Sequence, residues 1–267
     1  AYAPRGQGDL YLALGDSLPA GYEVVNDGQP GFPSIVHAAL RAQQPDIALV
    51  NMGQGSGTGV DGGETSTSFL APDGQLAKAL AFIQEQRAAG KVISPVTLSI
   101  GGNDAVGVIL PGSSFTVDQV LEIYRNNLGL ILDQLLAALT EDGVRTGDLI
   151  IQNYYNPYPG IASDPSCALF LGENDPDRDL PRFNQVIAEV AASRDVPVAN
   201  VYARFLGNEA EYVYARQDLA NRCAQPFDQL RTILDFHPRP AGHRAIAAAF
   251  LDAGGYIEKV YLPAIAR

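Results

Sequence analysis

The chain lacks any run of about 18 apolar residues, so no segment of it reads as a membrane-spanning helix. Its longest apolar stretches, such as Ala245 to Leu251, have the length of ordinary amphipathic segments. Positive charge is scarce. Lys and Arg number 18 against 30 Asp and Glu, a formal charge of −12, and the only lysines are Lys78, Lys91 and Lys259. A surface that negative repels phosphate backbones and anionic lipid heads, which argues against nucleic acid as a partner and against polybasic docking to membranes. Tryptophan is absent, and there are two cysteines, Cys167 and Cys223. Neither has a Cys or His at zinc-ligand spacing, so no metal site is expected. Both lie in loop-like stretches rich in Pro and Asp. They are read as a disulfide in a secreted or otherwise extracytoplasmic protein; the alternative is two unpaired thiols in a cytosolic one. The chain opens at Ala1 rather than Met, without a signal-peptide pattern, as expected of a form left by cleavage or trimming.

Hydrophobic residues make up 46% of the 267, too many for a disordered chain. A compact chain of this length buries roughly three quarters of its unfolded surface and needs no staple. No internal repeat, low-complexity tail or linker interrupts it, so residues 1–267 read as a single domain.

Short apolar runs recur at Leu10 to Leu14, Ile47 to Asn51, Val96 to Ile100, Leu149 to Asn153 and Val196 to Val201. Such runs suit strands of a parallel sheet covered on both faces. Helical patterns fall between and after them, at Ser34 to Ala42, Gln75 to Ala89, Val117 to Thr140, Leu180 to Arg194 and Ala241 to Leu251. In the third, Thr116 and Gln119 form a capping-box pair and Gly143 is read as the stop signal. The alternation predicts βαβ units, one parallel sheet and right-handed crossovers: a three-layer α/β/α sandwich. Two segments stand outside it, Gly53 to Gly63 and Tyr154 to Asp179. Both follow predicted strands, at the edge where α/β sheets bind ligands.

Three short motifs could carry chemistry. Gly15-Asp16-Ser17-Leu18 follows the first strand, and Ser17 either points its hydroxyl into the crevice or caps the next helix. Gly101-Gly102-Asn103-Asp104 follows the third; the Asn103 amide could donate to a developing oxyanion, or the stretch could be a plain turn. Asp235-Phe236-His237-Pro238 precedes the last helix. His37 and His243 lie within helical patterns, which leaves His237 as the histidine placed like a general base.

The order of these blocks (Ser, then an Asn-Met-Gly loop at 51–53, then Asn, then His) resembles that of the SGNH hydrolases, the GDSL family of esterases and lipases, from Tyr11 to about Ala248. Gly63 to Phe69, Leu76 to Phe82 and Ser94 to Leu98 match as well. The resemblance implies a flavodoxin-like five-stranded parallel sheet of order 2-1-3-4-5 and acyl-ester hydrolysis without a metal or organic cofactor. It implies Ser17 as nucleophile, His237 as general base, and an oxyanion hole built from the Ser17 backbone N–H, a glycine N–H of the second block and the Asn103 side chain.

The chain departs from the family at two points. Gly63 has the family's local context, Gly-Glu-Thr, but lies twelve residues after Asn51; Gly57 has the expected spacing instead. Gly63 is preferred. The family's acid stands three residues before its His, where this chain has Leu234. Asp235, two residues before, is taken as the third member of the triad, with a Ser–His dyad as the alternative. Residues i and i+2 of an extended stretch face the same way, so Asp235 could reach the far ring nitrogen.

Other patterns are set aside. Gly57 to Gly62 spells a dinucleotide fingerprint but opens no helix. Asp175, Asp177 and Asp179 mimic the start of a calcium loop, yet Leu180 and Val186 stand where its Gly and Glu belong. Tyr154, Tyr155 and Tyr158 either line an acyl or sugar pocket or pack under a long loop. Expected substrates are a short acyl ester, an acetylated carbohydrate or a lysophospholipid; the lack of a lid-like apolar segment favours small or soluble esters. The rival from another class is a non-catalytic carbohydrate- or surface-binding module on the same fold.

Overall fold

The computed structural model describes residues 2–55, 63–109, 113–214 and 236–256. Along these residues the elements are β1 (Leu10–Gly15), α1 (Ser17–Ala20), α2 (Phe32–Arg41), β2 (Ala48–Asn51), α3 (Ser66–Phe69), α4 (Gln75–Ala88), β3 (Ile93–Ser99), α5 (Gly102–Ile109), α6 (Val117–Ala138), β4 (Thr140–Glu141), β5 (Val144–Arg145), β6 (Leu149–Gln152), α7 (Pro165–Leu171), α8 (Pro176–Ala192), β7 (Val198–Ala199), α9 (Val201–Phe205), α10 (Glu209–Tyr212) and α11 (Pro240–Gly254). A turn of 3₁₀ helix, Ile161–Ser163, lies between β6 and α7.

The main sheet runs β2-β1-β3-β6-β7, all parallel. Counting only its five members, this is the expected order 2-1-3-4-5. β1 and β3 are buried along their whole length because helices cover both faces. The polar positions of those strands are paired internally, as where the Tyr11 hydroxyl meets Thr97 Oγ1 at 2.9 Å. The edge strand β2 is half exposed and accordingly mixes Asn with its apolar residues. α11 packs against α2, α9 and α10 in one layer; α6 packs against α3, α4, α5 and α8 in the other.

Differences from the sequence reading occur mainly at element ends. α6 opens on the expected box, with Gln119 N donating to Thr116 Oγ1 at 3.3 Å and Thr116 N to Gln119 Oε1 at 2.9 Å. It stops at Ala138, before Thr140, because the chain turns into the β4–β5 hairpin. Asp142 and Gly143 form the two-residue turn, both with positive φ, as such hairpins require. Gly143 therefore serves the hairpin and not the helix end. α8 begins a turn earlier than expected, on Asp175 as N-cap with Pro176 in the first turn, where a missing N–H is harmless. The aspartates of the calcium-like run are thus occupied at the helix start. Asp175 accepts from Asp177 N, and Asp179 pairs with Arg178 and Arg182. The short helices α1, α3, α5, α7, α9 and α10 carry no sustained periodicity and were not expected. No helix among the described residues is long and apolar enough to cross a membrane.

Candidate active site

Ser17 and Asn103 enter directly after strands β1 and β3, and His237 enters just before the last helix, α11. β1 ends on Gly15, whose φ is +131°. A side chain there would drive a Cβ to within 2 Å of the Ser99 carbonyl oxygen, so only glycine lets the chain pass β3 and turn sharply. Asp16 then caps α1, accepting from Leu18 N at 3.0 Å. This settles the ambiguity over Ser17. The capping is done by its neighbour, and Ser17, the first residue of the helix, keeps its hydroxyl for another partner.

That partner is His237. Its Nε2 lies 2.8 Å from Ser17 Oγ across 220 residues of sequence. Both side chains are buried, at 8% and 5% exposure, so water competes little for the hydrogen bond. The loop bearing His237 is fixed on several sides. Pro238 bridges Val213, Tyr214 N donates to the His237 carbonyl at 3.1 Å, and the Tyr155 hydroxyl donates to the Phe236 carbonyl at 2.6 Å. The Tyr22 ring packs on the imidazole with centroids 4.4 Å apart. The other two histidines are structural. His37 Nε2 meets the Ile47 carbonyl at 2.8 Å. His243, fully buried, accepts from Phe32 N at 3.1 Å, and burial lowers its pKa to about 3, with the charge of His237 adding to the effect.

Asn103 is the second residue of α5, after the β3 turn. Its Nδ2 donates to the Glu64 carbonyl at 2.9 Å, and Gly63 lies so close that a Cβ there would fall within 2.6 Å of the Asn103 amide atoms. The structure therefore brings Gly63 to Asn103. Gly57, the spacing-based alternative, lies outside the described residues, as do the rest of the fingerprint-like run and Asp235. Cys167 is fully buried, and Cys223 also lies outside the described residues.

Three buried residues that the sequence reading gave no role hold these loops in place. Gln75 accepts from Gly15 N at 2.6 Å and donates to the Gly15 carbonyl at 2.9 Å and Glu64 Oε2 at 2.8 Å. Asp104 accepts from Ser66 N and Ser66 Oγ at 2.8 and 2.6 Å, which ties α3 to α5. Burial raises the pKa of both Glu64 and Asp104. Asp16, beneath Ser17, accepts from the Tyr154 hydroxyl at 3.2 Å and meets Ser99 Oγ at 3.4 Å; burial pushes its pKa up to about 7. Asp16 and Asp104 are adjacent to motif residues, a signal that could have drawn attention to them. Gln75 carries none.

A cavity of about 70 Å³ opens beside Ser17 and Asn103. Its walls include Ala105, Val106 and Ile109 of α5 and the rings of Tyr154, Tyr155 and Tyr158, so the tyrosines of the long loop line a pocket.

A serine hydroxyl within hydrogen-bond reach of an imidazole, at the carboxyl edge of a parallel sheet in a three-layer sandwich, is an arrangement that can serve a serine hydrolase. Residues 13–245 match the model of the GDSL-like lipase/acylhydrolase family. The chain belongs to that family, and so to the carboxylic ester hydrolases. Several solved structures share the fold. LAE5, an alpha/beta hydrolase from the metagenome of Lake Arreo, is 19% identical with a TM-score of 0.57, over 94% of this chain and 97% of that one. Axe2, an acetylxylan esterase from Geobacillus stearothermophilus, is 18% identical at 0.56, over 96% and 100%. A putative SGNH hydrolase from Slackia heliotrinireducens is 16% identical at 0.56, over 92% and 99%. No curated protein matches the chain.

Proposed function

We propose that the chain is a serine esterase in which Ser17 attacks the ester carbonyl while His237 takes its proton. The observation that carries this reading is the 2.8 Å contact between Ser17 Oγ and His237 Nε2. The proton on Nε2 then passes to the departing alkoxide, and the acyl group stays on Ser17 as an ester. Water attacks that ester with His237 again as base. The oxyanion of each tetrahedral intermediate is held by the backbone N–H of Ser17, the N–H of Gly63 and Asn103 Nδ2. The packing of Gly63 against Asn103 supports this grouping, and losing one such donor typically costs about 3–4 kcal/mol. Asp235 is the acid that orients His237. No metal or organic cofactor enters any of these steps.

The substrate is a small-molecule carboxylic ester: a short acyl ester, an acetylated carbohydrate or a lysophospholipid. The Ser–His contact favours an enzyme over a carbohydrate-binding module, which has no need to aim an imidazole at a serine. We read the whole chain as one such domain, working outside the cytoplasm, with Cys167 and Cys223 joined. The absence of a free cysteine among the described residues supports the bond. Thiol titration of unfolded, unreduced protein tests it, with no free thiol expected and two free thiols ruling it out.

Hydrolysis of p-nitrophenyl esters by the native chain and by Ser17→Ala tests the mechanism. The variant should fold normally and lose turnover by several orders of magnitude. A Ser17→Ala protein as active as the native one would remove Ser17 from the reaction. Asp235→Asn separates the two versions of the base: near-native turnover would mean that a Ser–His dyad suffices.

A further inference from the structure

We infer that the cavity beside Ser17 is an acyl-chain pocket, and that the preferred substrate is an ester of a straight aliphatic acid of roughly four to eight carbons and not an acetyl ester. The inference rests on the esterase reading given above and goes beyond it in naming the acid.

The chemistry of the walls comes first. Most polar groups around the cavity already have partners. Asp16 accepts from Leu18 N and the Tyr154 hydroxyl. The Tyr155 hydroxyl is bound to the Phe236 carbonyl. Asn156 donates to Asp177 at 2.7 Å and accepts from Tyr158 N at 2.9 Å. What faces the space is ring and alkyl surface: tyrosine rings of the 154–158 loop, Val106 and Ile109 of α5, Ile161, Leu171 of α7 and Leu180 of α8. A sugar ring needs a donor or acceptor for nearly every carbon, and a buried hydroxyl left unpaired is penalised. These walls cannot supply those partners, whereas a hydrocarbon chain asks for none.

The side of the ester that enters follows from position. The leaving alcohol must lie beside His237 Nε2 to receive its proton. Ser17 and Asn103 line the cavity and His237 does not, so the space opens on the side away from proton delivery. The acyl group, bound to Ser17 throughout, is the part that occupies it, and the alcohol stays outside.

Size sets the length. The cavity volume of about 70 Å³ is several times the ~10–15 Å³ needed to admit one water-sized group. That is more than the single methyl of an acetate and less than a long fatty chain.

The test is kcat/KM on p-nitrophenyl esters from acetate to palmitate, together with alkyl acetates of rising alcohol length. Turnover on the acyl series should rise about fourfold per added methylene, the effect of burying one such group, until the cavity is full, and then fall. The alkyl acetates should show no comparable rise. Val106→Phe, which fills the cavity from α5, should lower hexanoate turnover at least tenfold more than acetate turnover, and Leu171→Ala should move the optimum to longer acids. An optimum at acetate, or a rise on the alcohol series in place of the acyl series, overturns the inference while Ser17-dependent hydrolysis stands. Equal loss on acetate and hexanoate in a folded Val106→Phe, with no shift in Leu171→Ala, overturns it as well. No turnover on any ester by the native chain would overturn the esterase reading itself.

Discussion

Asp16 shows how one position can carry two incompatible demands. Its carboxylate caps α1 and lies beneath Ser17, at 2% exposure. Burial disfavours the charge more than its hydrogen bonds favour it, so its pKa rises to about 7, against about 4 in an unfolded chain. Between those values the folded chain holds a proton that the unfolded chain has released. Stability from this site is therefore full below about pH 4 and is lost as pH rises towards 7. Asp16→Asn keeps an acceptor for Leu18 N and cannot ionise. Urea unfolding across that range should show the native chain losing stability relative to the variant, by up to about 1.4 kcal/mol per pH unit at its steepest. Parallel pH profiles would mean that Asp16 ionises in the folded protein as it does in the unfolded one.

Among the elements, the start of α4 does more than begin a helix. Gln75, its first residue, is buried to 1% exposure and grips Gly15, two residues before Ser17, together with Glu64, next to Gly63. It is a positioning residue that joins the Ser17 loop to the loop behind Asn103. Gln75→Ala leaves the Gly15 N–H buried and unpaired, at a cost of about 1–3 kcal/mol, and lets both loops drift. We expect kcat to fall at least tenfold with KM changed much less, while Gln75→Asn, with the same amide on a shorter stem, recovers little. A rise in KM at unchanged kcat would show that the anchor shapes substrate binding and not the reacting geometry. Elements with a strong periodic or capping signal were legible in the sequence: the five strands, and α6 from its Thr116–Gln119 box. The ends and the short helices were not. α8 starts on a Pro- and Asp-rich stretch that reads equally well as a loop, and α5 starts within a Gly-Gly-Asn-Asp sequence that looks like a turn until Asp104 is seen holding Ser66.

Across the whole molecule, the two ends of the described chain meet at a single carboxylate. Asp148, fully buried just before β6, accepts from Arg5 N, from Gly6 N at 3.2 Å and from the Tyr256 hydroxyl at 2.7 Å. These contacts clamp the segment leading into β1 and Tyr256, two residues past the end of α11, onto the sheet. Asp148→Ala would remove the acceptor shared by these three donors. The expected penalty is about 2–4 kcal/mol, or about 5–10 °C in Tm for a chain of this size. Thermal unfolding followed by circular dichroism measures it, and an unchanged Tm would show that the clamp contributes nothing.

By itself the sequence determined the alternation of strands and helices, the order of the motif blocks and the choice of His237 among three histidines, because each is written in local spacing or residue type. Ser17 and Asn103 could be named from those motifs, although the residues around them also fit a cap and a turn. Only the tertiary structure decided between these readings, since the answer depends on contacts between distant segments. Asp16 takes over the cap, His237 reaches Ser17 across 220 residues, Gly63 closes on Asn103, and Gln75 ties their loops together. The pocket belongs to that second class. No single stretch contains it, because its walls come from α5, the tyrosine loop, α7 and α8, and they become one apolar surface only when the sheet brings those segments to the same edge.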